Sequence, residues 1–259
     1  MRLKHAFTLI ELIVVIVIIS ILSAMLLPVV NQAKAKSKHT VCILHGKQLA
    51  QAFLMYASDN DDYTALVLRT QNYKSANSNI SLVQFRLWGH DVFPYVNKHE
   101  VFLCPLDTEE TFLDKNGNGR FSKKNQNYEW IWANTCSYGY NGRYLSPGMN
   151  VNYPNEAPHK SLPISAYTSH SQTVLFAESI FFAPVLKNSK VWGPPTGFHR
   201  VYPPSNWTRE LPENGLSYGH FWPRHNTKFG TVIFLDAHVK PMTPYHLDDE
   251  NLWNGQGVD

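Results

Sequence analysis

Residues 1–30 read MRLKHAFTLIELIVVIVIISILSAMLLPVV, and this stretch decides the organisation of the chain. A short basic segment with Arg2 and Lys4 leads into an apolar run in which Glu11 is the single acidic or basic residue before Lys34. A helix of about 20 apolar residues can cross a hydrocarbon core of roughly 30 Å. An ionisable side chain inside such a span is costly and usually marks a functional partner. The stretch therefore predicts a membrane helix in which Glu11 is neutralised by another group.

Two other classes of amino-terminal segment share parts of this pattern. A secretory signal peptide also has a basic start, but its apolar region of about 7–15 residues ends at a small-residue cleavage site. Ser23-Ala24 resembles such a site. An ordinary signal anchor accounts for the apolar span but not for Glu11 near its front. The position of the acid therefore argues against both classes.

The order of a basic leader, a small residue and Phe-Thr-Leu-Ile-Glu resembles the amino terminus of type IV pilins and type II secretion pseudopilins. The resemblance implies that a prepilin peptidase cleaves between Ala6 and Phe7 and methylates the new amino group of Phe7. It also implies that Glu11 of one subunit pairs with the Phe7 amino group of its neighbour during assembly. A buried ion pair is favourable only when both charges are present and well placed. Ala6 is a departure, because the family usually has glycine there.

The helix is expected to begin at Phe7 and to continue beyond the apolar run to about Tyr56. Apolar residues at three-to-four spacing predict one face packed on a sheet. They are Val41, Leu44, Leu49, Ala52, Phe53 and Tyr56. Residues 173–177 and 230–235 read as strands, the second followed by a hairpin turn at Asp236-Ala237. The predicted fold is α+β and pilin-like: one long amino-terminal helix, half transmembrane and half amphipathic, packed on an antiparallel β-sheet with long loops.

These signals divide the chain of 259 residues into four parts. Residues 1–6 are the expected leader, 7–30 the transmembrane and assembly helix, 31–57 its amphipathic continuation, and 58–259 a globular extracytoplasmic β-rich domain. Loss of Arg2 and Lys4 with the leader reduces the 23 Lys and Arg to 21, against 20 Asp and Glu. A nearly neutral mature chain gives no support for nucleic-acid binding.

Segments farther along resemble a large pilin-like group with a carboxy-terminal His…Asp-Gly-like motif. The matching pieces are Cys42…Leu49-Ala50…Tyr56…Asp59-Asn60, Phe102-Leu103-Cys104-Pro105, Ser137-Tyr138-Gly139-Tyr140-Asn141, and Arg224-His225 ahead of Asp236-Ala237-His238-Val239. Here Ala237 replaces the glycine, and the spacing from His to Asp is one residue longer. The resemblance supplies an architecture rather than an activity.

Three cysteines in an exported chain allow one disulfide and leave one thiol over. A bond between Cys42 and Cys104 would tie the helix to the sheet, and it is favoured because both lie in segments that resemble the family. Cys104 with Cys136, or reduced cysteines, are the alternatives. No CxxC pair is present, so the sequence predicts no zinc site of that kind.

Asp114, Asn116 and Asn118, followed by Gly119, match the opening of an EF-hand-type calcium loop. The twelfth position is Asn125 rather than Glu, and the same letters describe an ordinary Asn-Gly turn. Some members of the pseudopilin family that the amino terminus resembles bind calcium beside their sheet, so the resemblance makes calcium a candidate cofactor.

A second candidate cluster combines His220, His225, Asp236 and His238, with Glu178 expected on a neighbouring strand. Two histidines and an aspartate are able to hold a transition metal or to act as base and acid. The alternative is a hydrogen-bonded structural cluster in which His225 bridges to the turn at Asp236.

The resemblance therefore predicts a structural, non-enzymatic pseudopilin of a type II secretion-like machine, with a surface type IV pilin or a DNA-uptake pseudopilin as alternatives. Its expected partners are copies of itself, other pilin-like subunits, the prepilin peptidase and an inner-membrane assembly platform. The expected location is the inner membrane as a single-pass protein, with the carboxy-terminal domain in the periplasm or outside the cell. The rival hypothesis is a membrane-anchored binding protein or metal-dependent enzyme that uses the histidine cluster.

Overall fold

The computed structural model describes residues 8–74, 81–107, 132–146, 161–182, 197–206, 217–225 and 228–255. One long helix and two antiparallel sheets dominate these residues, which confirms the predicted α+β class. In chain order the helices and strands are α1 (Leu9–Asp59), β1 (Leu68–Lys74), β2 (Ser81–Leu87), α2 (Trp88–Val96), β3 (Tyr138–Tyr140), α3 (Gly142–Leu145), β4 (Val174–Phe182), β5 (Ser217–Phe221), β6 (Gly230–Phe234), β7 (Val239–Met242) and α4 (Asn251–Asn254).

Helix α1 runs without interruption through 51 residues and contains Pro28. At 1.5 Å per residue this is about 77 Å. The helix ends three residues later than the sequence predicts, at the acidic segment expected to stop it. Asn60 caps its end, and Asp61 and Asp62 follow with φ of 54° and 68°. These left-handed conformations cannot continue the helix.

The second half of α1 packs one face on the sheet and on α2. The buried residues on this face follow helical spacing, and they are Cys42, Gly46, Leu49, Ala50, Ala52, Phe53 and Ala57. Leu44 does not belong to this face, contrary to the sequence prediction, because its side chain is 52% exposed. Gly46 permits a close approach of the helix to the sheet, since a Cβ there would lie 2.8 Å from Ile233 Cγ1.

The main sheet has five strands, and every pairing in it is antiparallel. The strand order is β3-β4-β6-β7, and β5 also pairs with β4. Both strands expected from sequence are present, as β4 and β6, and the hairpin that follows β6 is confirmed. Ala237 in its turn has φ of 68°, a conformation that glycine adopts without steric cost.

A separate two-stranded ribbon and a short helix were not expected from the sequence. Strands β1 and β2 pair over their whole length, from Leu68 opposite Leu87 to Lys74 opposite Ser81. Helix α2 follows β2 directly. Its Asp91 accepts hydrogen bonds from Arg69 and Arg86 of the ribbon, at 2.7 and 3.2 Å.

Aromatic rings fill the space between α1 and the sheet. The ring of Phe53 on α1 meets Phe176 on β4 edge to face, with ring centres 5.5 Å apart, and Tyr140 on β3 at 5.3 Å. Trp88 at the start of α2 lies 4.5 Å from Phe176. All four side chains are fully buried. This group therefore joins the helix, the sheet and α2 in one core.

A buried ion pair between Asp107 and Arg224 joins the segment that ends at Asp107 to the segment that follows β5. Arg224 lies after β5, and its side chain is 6% exposed. It donates to Ser179 O at 2.7 Å, and its Nη2 lies 3.4 Å from Asp107 Oδ2. Ser137 Oγ donates to the same carboxylate oxygen at 2.6 Å. Asp107 is thus the shared acceptor for a cation and a hydroxyl in the protein interior.

We expect Phe53→Ala to lower the free energy of unfolding by about 3–5 kcal/mol, because it removes an aromatic ring from a close-packed core. Leu44→Ala on the same helix is the matched control, and its effect should stay within about 0.5 kcal/mol because that side chain is exposed. Denaturant titration of the full chain in detergent measures both. Equal losses in the free energy of unfolding would contradict the assignment of Phe53 to the buried face of α1 and of Leu44 to its exposed face.

We expect Asp107→Ala to cost about 3–5 kcal/mol, because it leaves the Arg224 cation buried without its carboxylate. Asp236→Ala is the control. Its pair with His238 is more than one-third exposed on both sides, so its loss should cost at most about 1 kcal/mol. The same denaturant titration compares the two variants. An Asp107→Ala chain as stable as the control would show that the buried pair contributes little.

Candidate functional site

The first half of α1 exposes an apolar surface along its whole length. Between residues 9 and 30, the large apolar side chains are 45% to 77% exposed. Among the described residues, α1 is the one helix that is long and apolar enough to cross a membrane. A continuous apolar surface of this size marks a site of contact with lipid or protein.

Glu11 lies in the first turn of α1 and closes a capping box with Thr8. Its Oε2 accepts from the Thr8 amide at 2.8 Å and from the Thr8 hydroxyl at 2.6 Å. The Glu11 amide in turn donates to Thr8 Oγ1 at 3.4 Å. Such reciprocal bonds satisfy amides at the helix start that have no partner within the helix. This capping role was not predicted, although Thr-x-x-Glu before an apolar run is its recognised signature.

Two groups of predicted site residues lie outside the described part of the chain. Ala6 and Phe7, at the expected cleavage point, directly precede the first described residue, Thr8. The predicted calcium ligands Asp114, Asn116 and Asn118 are also outside it. Cleavage, methylation and calcium binding therefore stay predictions from the sequence.

Cys42 and Cys104 meet in the interior, as the favoured pairing predicts. Cys42 lies on the packed face of α1, and Cys104 follows the 3₁₀ turn His99–Phe102. Their sulfur atoms are 2.7 Å apart, and both residues are fully buried. Both cysteines are in the thiol form. The sulfur of Cys136 is directed instead to the carbonyl oxygens of Ala133 and Tyr138, at 3.4 and 3.3 Å. The disulfide itself stays a prediction.

Glu178 and His225 complete a buried group around these two sulfurs. Glu178 lies on the central strand β4, and its Oε1 is 3.0 Å from His225 Nε2. The same nitrogen lies 3.7 Å from Cys104 Sγ. We call Cys42, Cys104, Glu178 and His225 the buried cluster. One ligand-type atom from each member lies within 4.8 Å of the others.

The electrostatics of the buried cluster favour a protonated imidazole next to a carboxylate. Burial lowers the pKa of His225, but its hydrogen bonds with Cys104 and Glu178 outweigh this effect and raise the pKa to about 9. Burial raises the pKa of the Cys104 thiol, as does its contact with Cys42. In the absence of any other cation, Cys104 is therefore a neutral thiol near neutral pH.

The four residues predicted to form a histidine cluster do not come together. Asp236 and His238 pair with each other at 2.6 Å in the exposed turn after β6. His225 is bridged to Phe229, just before the other end of β6. The rise of a strand puts the two ends of this five-residue strand roughly 14 Å apart. His220 lies on β5 opposite Ile180. His225 therefore contacts Glu178 rather than the turn at Asp236, the partner expected from the sequence.

A cavity of about 430 Å³ opens beside the buried cluster, along one side of α1. Its lining includes Lys36 and His39 of the helix together with His225. The rings of His39 and His225 lie 4.4 Å apart between centres. Burial lowers the pKa of His39, and the nearby His225 lowers it further. The cavity therefore connects the edge of the buried cluster with the surface of the helix.

Comparison with known proteins finds a family motif at the amino terminus and a similar protein among the type IV pilins. Residues 1–27 match the family described as the prokaryotic N-terminal methylation motif. The chain is also 36% identical over 83 residues to the type IV wide pilus major component PilA4 of Thermus thermophilus. That match covers 31% of this chain and 63% of the relative. No solved structure matches the chain.

These matches agree with the geometry of α1, in which a capped helix start opens directly into an exposed apolar surface. The chain is therefore similar to type IV pilins in its amino-terminal methylation motif and over an 83-residue match that spans less than two thirds of the length of the PilA4 relative.

Proposed function

We propose that the chain is a structural subunit of a pilin-type filament, anchored in the inner membrane by α1 and polymerised through the first half of that helix. The observation that carries this proposal is the apolar surface of residues 9–30, which no described part of the chain covers. An isolated chain can shield such a surface only in lipid, and a filament shields it among neighbouring helices. The domain that follows remains outside the membrane, in the periplasm or outside the cell.

Glu11 is the residue that sets the register between neighbouring helices. Both hydrogen bonds from Thr8 reach the same carboxylate oxygen, Oε2. We assign Oε1 to the methylated amino group of Phe7 on an adjacent subunit, after a prepilin peptidase has cleaved between Ala6 and Phe7. A carboxylate among packed apolar helices is tolerated only when a cation lies against it. Misaligned neighbours leave that charge unpaired and are disfavoured.

The partners follow from this mechanism. They are further copies of the chain, other pilin-like subunits, the peptidase and a membrane assembly platform. The matched relative is a component of a type IV pilus, whereas the sequence alone favoured type II secretion. We therefore propose a filament subunit of the kind that type IV pili and type II secretion machines have in common.

The rival function, a binding protein or enzyme built on the histidine cluster, receives no support from the described geometry. Such a site needs its histidines and carboxylate within reach of one ligand. Asp236 and His238 are instead an exposed pair at the far end of β6 from His225.

Intact-mass measurement tests the processing step. In cells that contain a prepilin peptidase, the mature chain should begin at Phe7 and carry one added methyl group. Ala6→Leu should block cleavage, because the peptidase requires a small residue before the cut, and this variant serves as the matched control. A mature chain that begins at Met1 or near Met25 would exclude the proposed maturation.

Two substitutions at Glu11 separate its charge from its capping role. Glu11→Gln retains a side chain that can close a capping box but removes the charge, and Glu11→Ala removes both. We expect both variants to keep a folded globular domain and to fall at least tenfold in filament incorporation, measured by quantifying the subunit in sheared filaments.

If Glu11→Gln assembles normally while Glu11→Ala does not, helix capping rather than charge pairing is the requirement. Normal assembly of both variants would remove Glu11 from the mechanism altogether. Circular dichroism of the purified chains establishes that each variant is folded before its incorporation is compared.

A further inference from the structure

The buried cluster brings together four ligands from four separate parts of the chain. Cys42 comes from α1, Cys104 from the turn after the 3₁₀ helix, Glu178 from β4, and His225 from the segment between β5 and β6. Each residue is buried. Two thiols, an imidazole and a carboxylate are the side chains that zinc binds in proteins, and four of them fill its tetrahedral coordination.

Glu178 supplies a second, independent observation. The residue is 0% exposed, and its Oε2 has no hydrogen-bond partner among the described residues. His225 Nδ1 is likewise buried without a partner in the described part of the chain. A buried carboxylate with an unsatisfied oxygen is costly, since it loses the hydration that it had in the unfolded chain. A bound cation at the cluster removes most of this cost.

The charges of the cluster also suit a divalent cation. Two thiolates and one carboxylate overcompensate a doubly charged ion by one negative charge, and neutral imidazole adds none. The Arg224 guanidinium lies close enough to interact with Glu178 and Cys104, and it is held in place by its hydrogen bond to Ser179 O. The softness of the two sulfurs favours zinc over magnesium or calcium.

We propose that Cys42, Cys104, Glu178 and His225 form a zinc site that fastens α1 to the sheet. The ligand atoms are Sγ of each cysteine, Nε2 of His225 and a carboxylate oxygen of Glu178. Four protein ligands make the site closed, as in zinc sites that stabilise a fold. The cavity lined by Lys36, His39 and His225 gives the ion an entry path from solvent.

A disulfide between Cys42 and Cys104 is the competing state, and it excludes zinc because it consumes both thiolates. The observed sulfur separation of 2.7 Å lies between a disulfide bond of about 2.05 Å and the spacing of about 3.7 Å for two zinc-bound thiolates. This distance favours neither state. Glu178 and His225 favour the metal site, because a disulfide requires neither a carboxylate nor an imidazole beside it.

Metal analysis of the full chain tests the site directly. The protein is purified in detergent with a reductant, exposed to zinc, and freed of excess ion by gel filtration. We expect about one zinc per chain. Cys104→Ser and His225→Ala should each reduce the bound zinc at least tenfold. Cys136→Ser and His238→Ala are the matched controls, because these residues lie outside the buried cluster, and they should retain the wild-type amount.

Thiol labelling of the wild-type chain makes the test independent of how the variants fold. The chain is purified without reductant and unfolded in a denaturant that contains a chelator to remove bound metal. Its free thiols are then alkylated. We expect all three cysteines to react. A chain that is two hydrogens lighter and alkylates only at Cys136 contains the disulfide and overturns the zinc site. Wild-type zinc content no higher than that of Cys104→Ser overturns it as well. Neither measurement depends on filament assembly.

Discussion

The packing of α1 against the five-stranded sheet is the contact on which the described structure depends. It requires close approach at Gly46, where any side chain would collide with Ile233, and a large ring at Phe53, which fills the space between Phe176 and Tyr140. A small and a large residue about two helical turns apart thus set the distance between helix and sheet. The same packed face carries Cys42 into the interior, so the position of the buried cluster follows from this contact.

How much of this arrangement could be predicted depends on whether the signal is local. The periodicity of α1, the apolar runs of β4 and β6 and the turn at Asp236 are written in neighbouring residues, and each was predicted. Leu44 was misassigned because apolar character alone does not distinguish a core residue from an exposed one at the edge of a helix face. The β1–β2 ribbon was missed because the middle of β1, Arg-Thr-Gln-Asn, lacks an apolar alternation.

The candidate sites show the same division. The amino-terminal motif is contiguous, and the family comparison matches it. The buried cluster assembles four residues spread from position 42 to position 225, and the sequence pointed only to the pairing of Cys42 with Cys104. His225 was grouped with Asp236 and His238 because they are near in sequence. A strand separates them in space, and the true neighbour, Glu178, lies on β4. Non-local contacts of this kind require the sheet topology.

The continuity of α1 has a mechanical consequence. One unbroken helix forms both the apolar surface of residues 9–30 and the packed face that ends near Ala57. No flexible linker lies between them, so a pull on the amino-terminal half is resisted by shear of α1 along the sheet, not absorbed by extension of a loop. Axial load on α1 therefore falls on the interlocked side chains between this helix and the sheet.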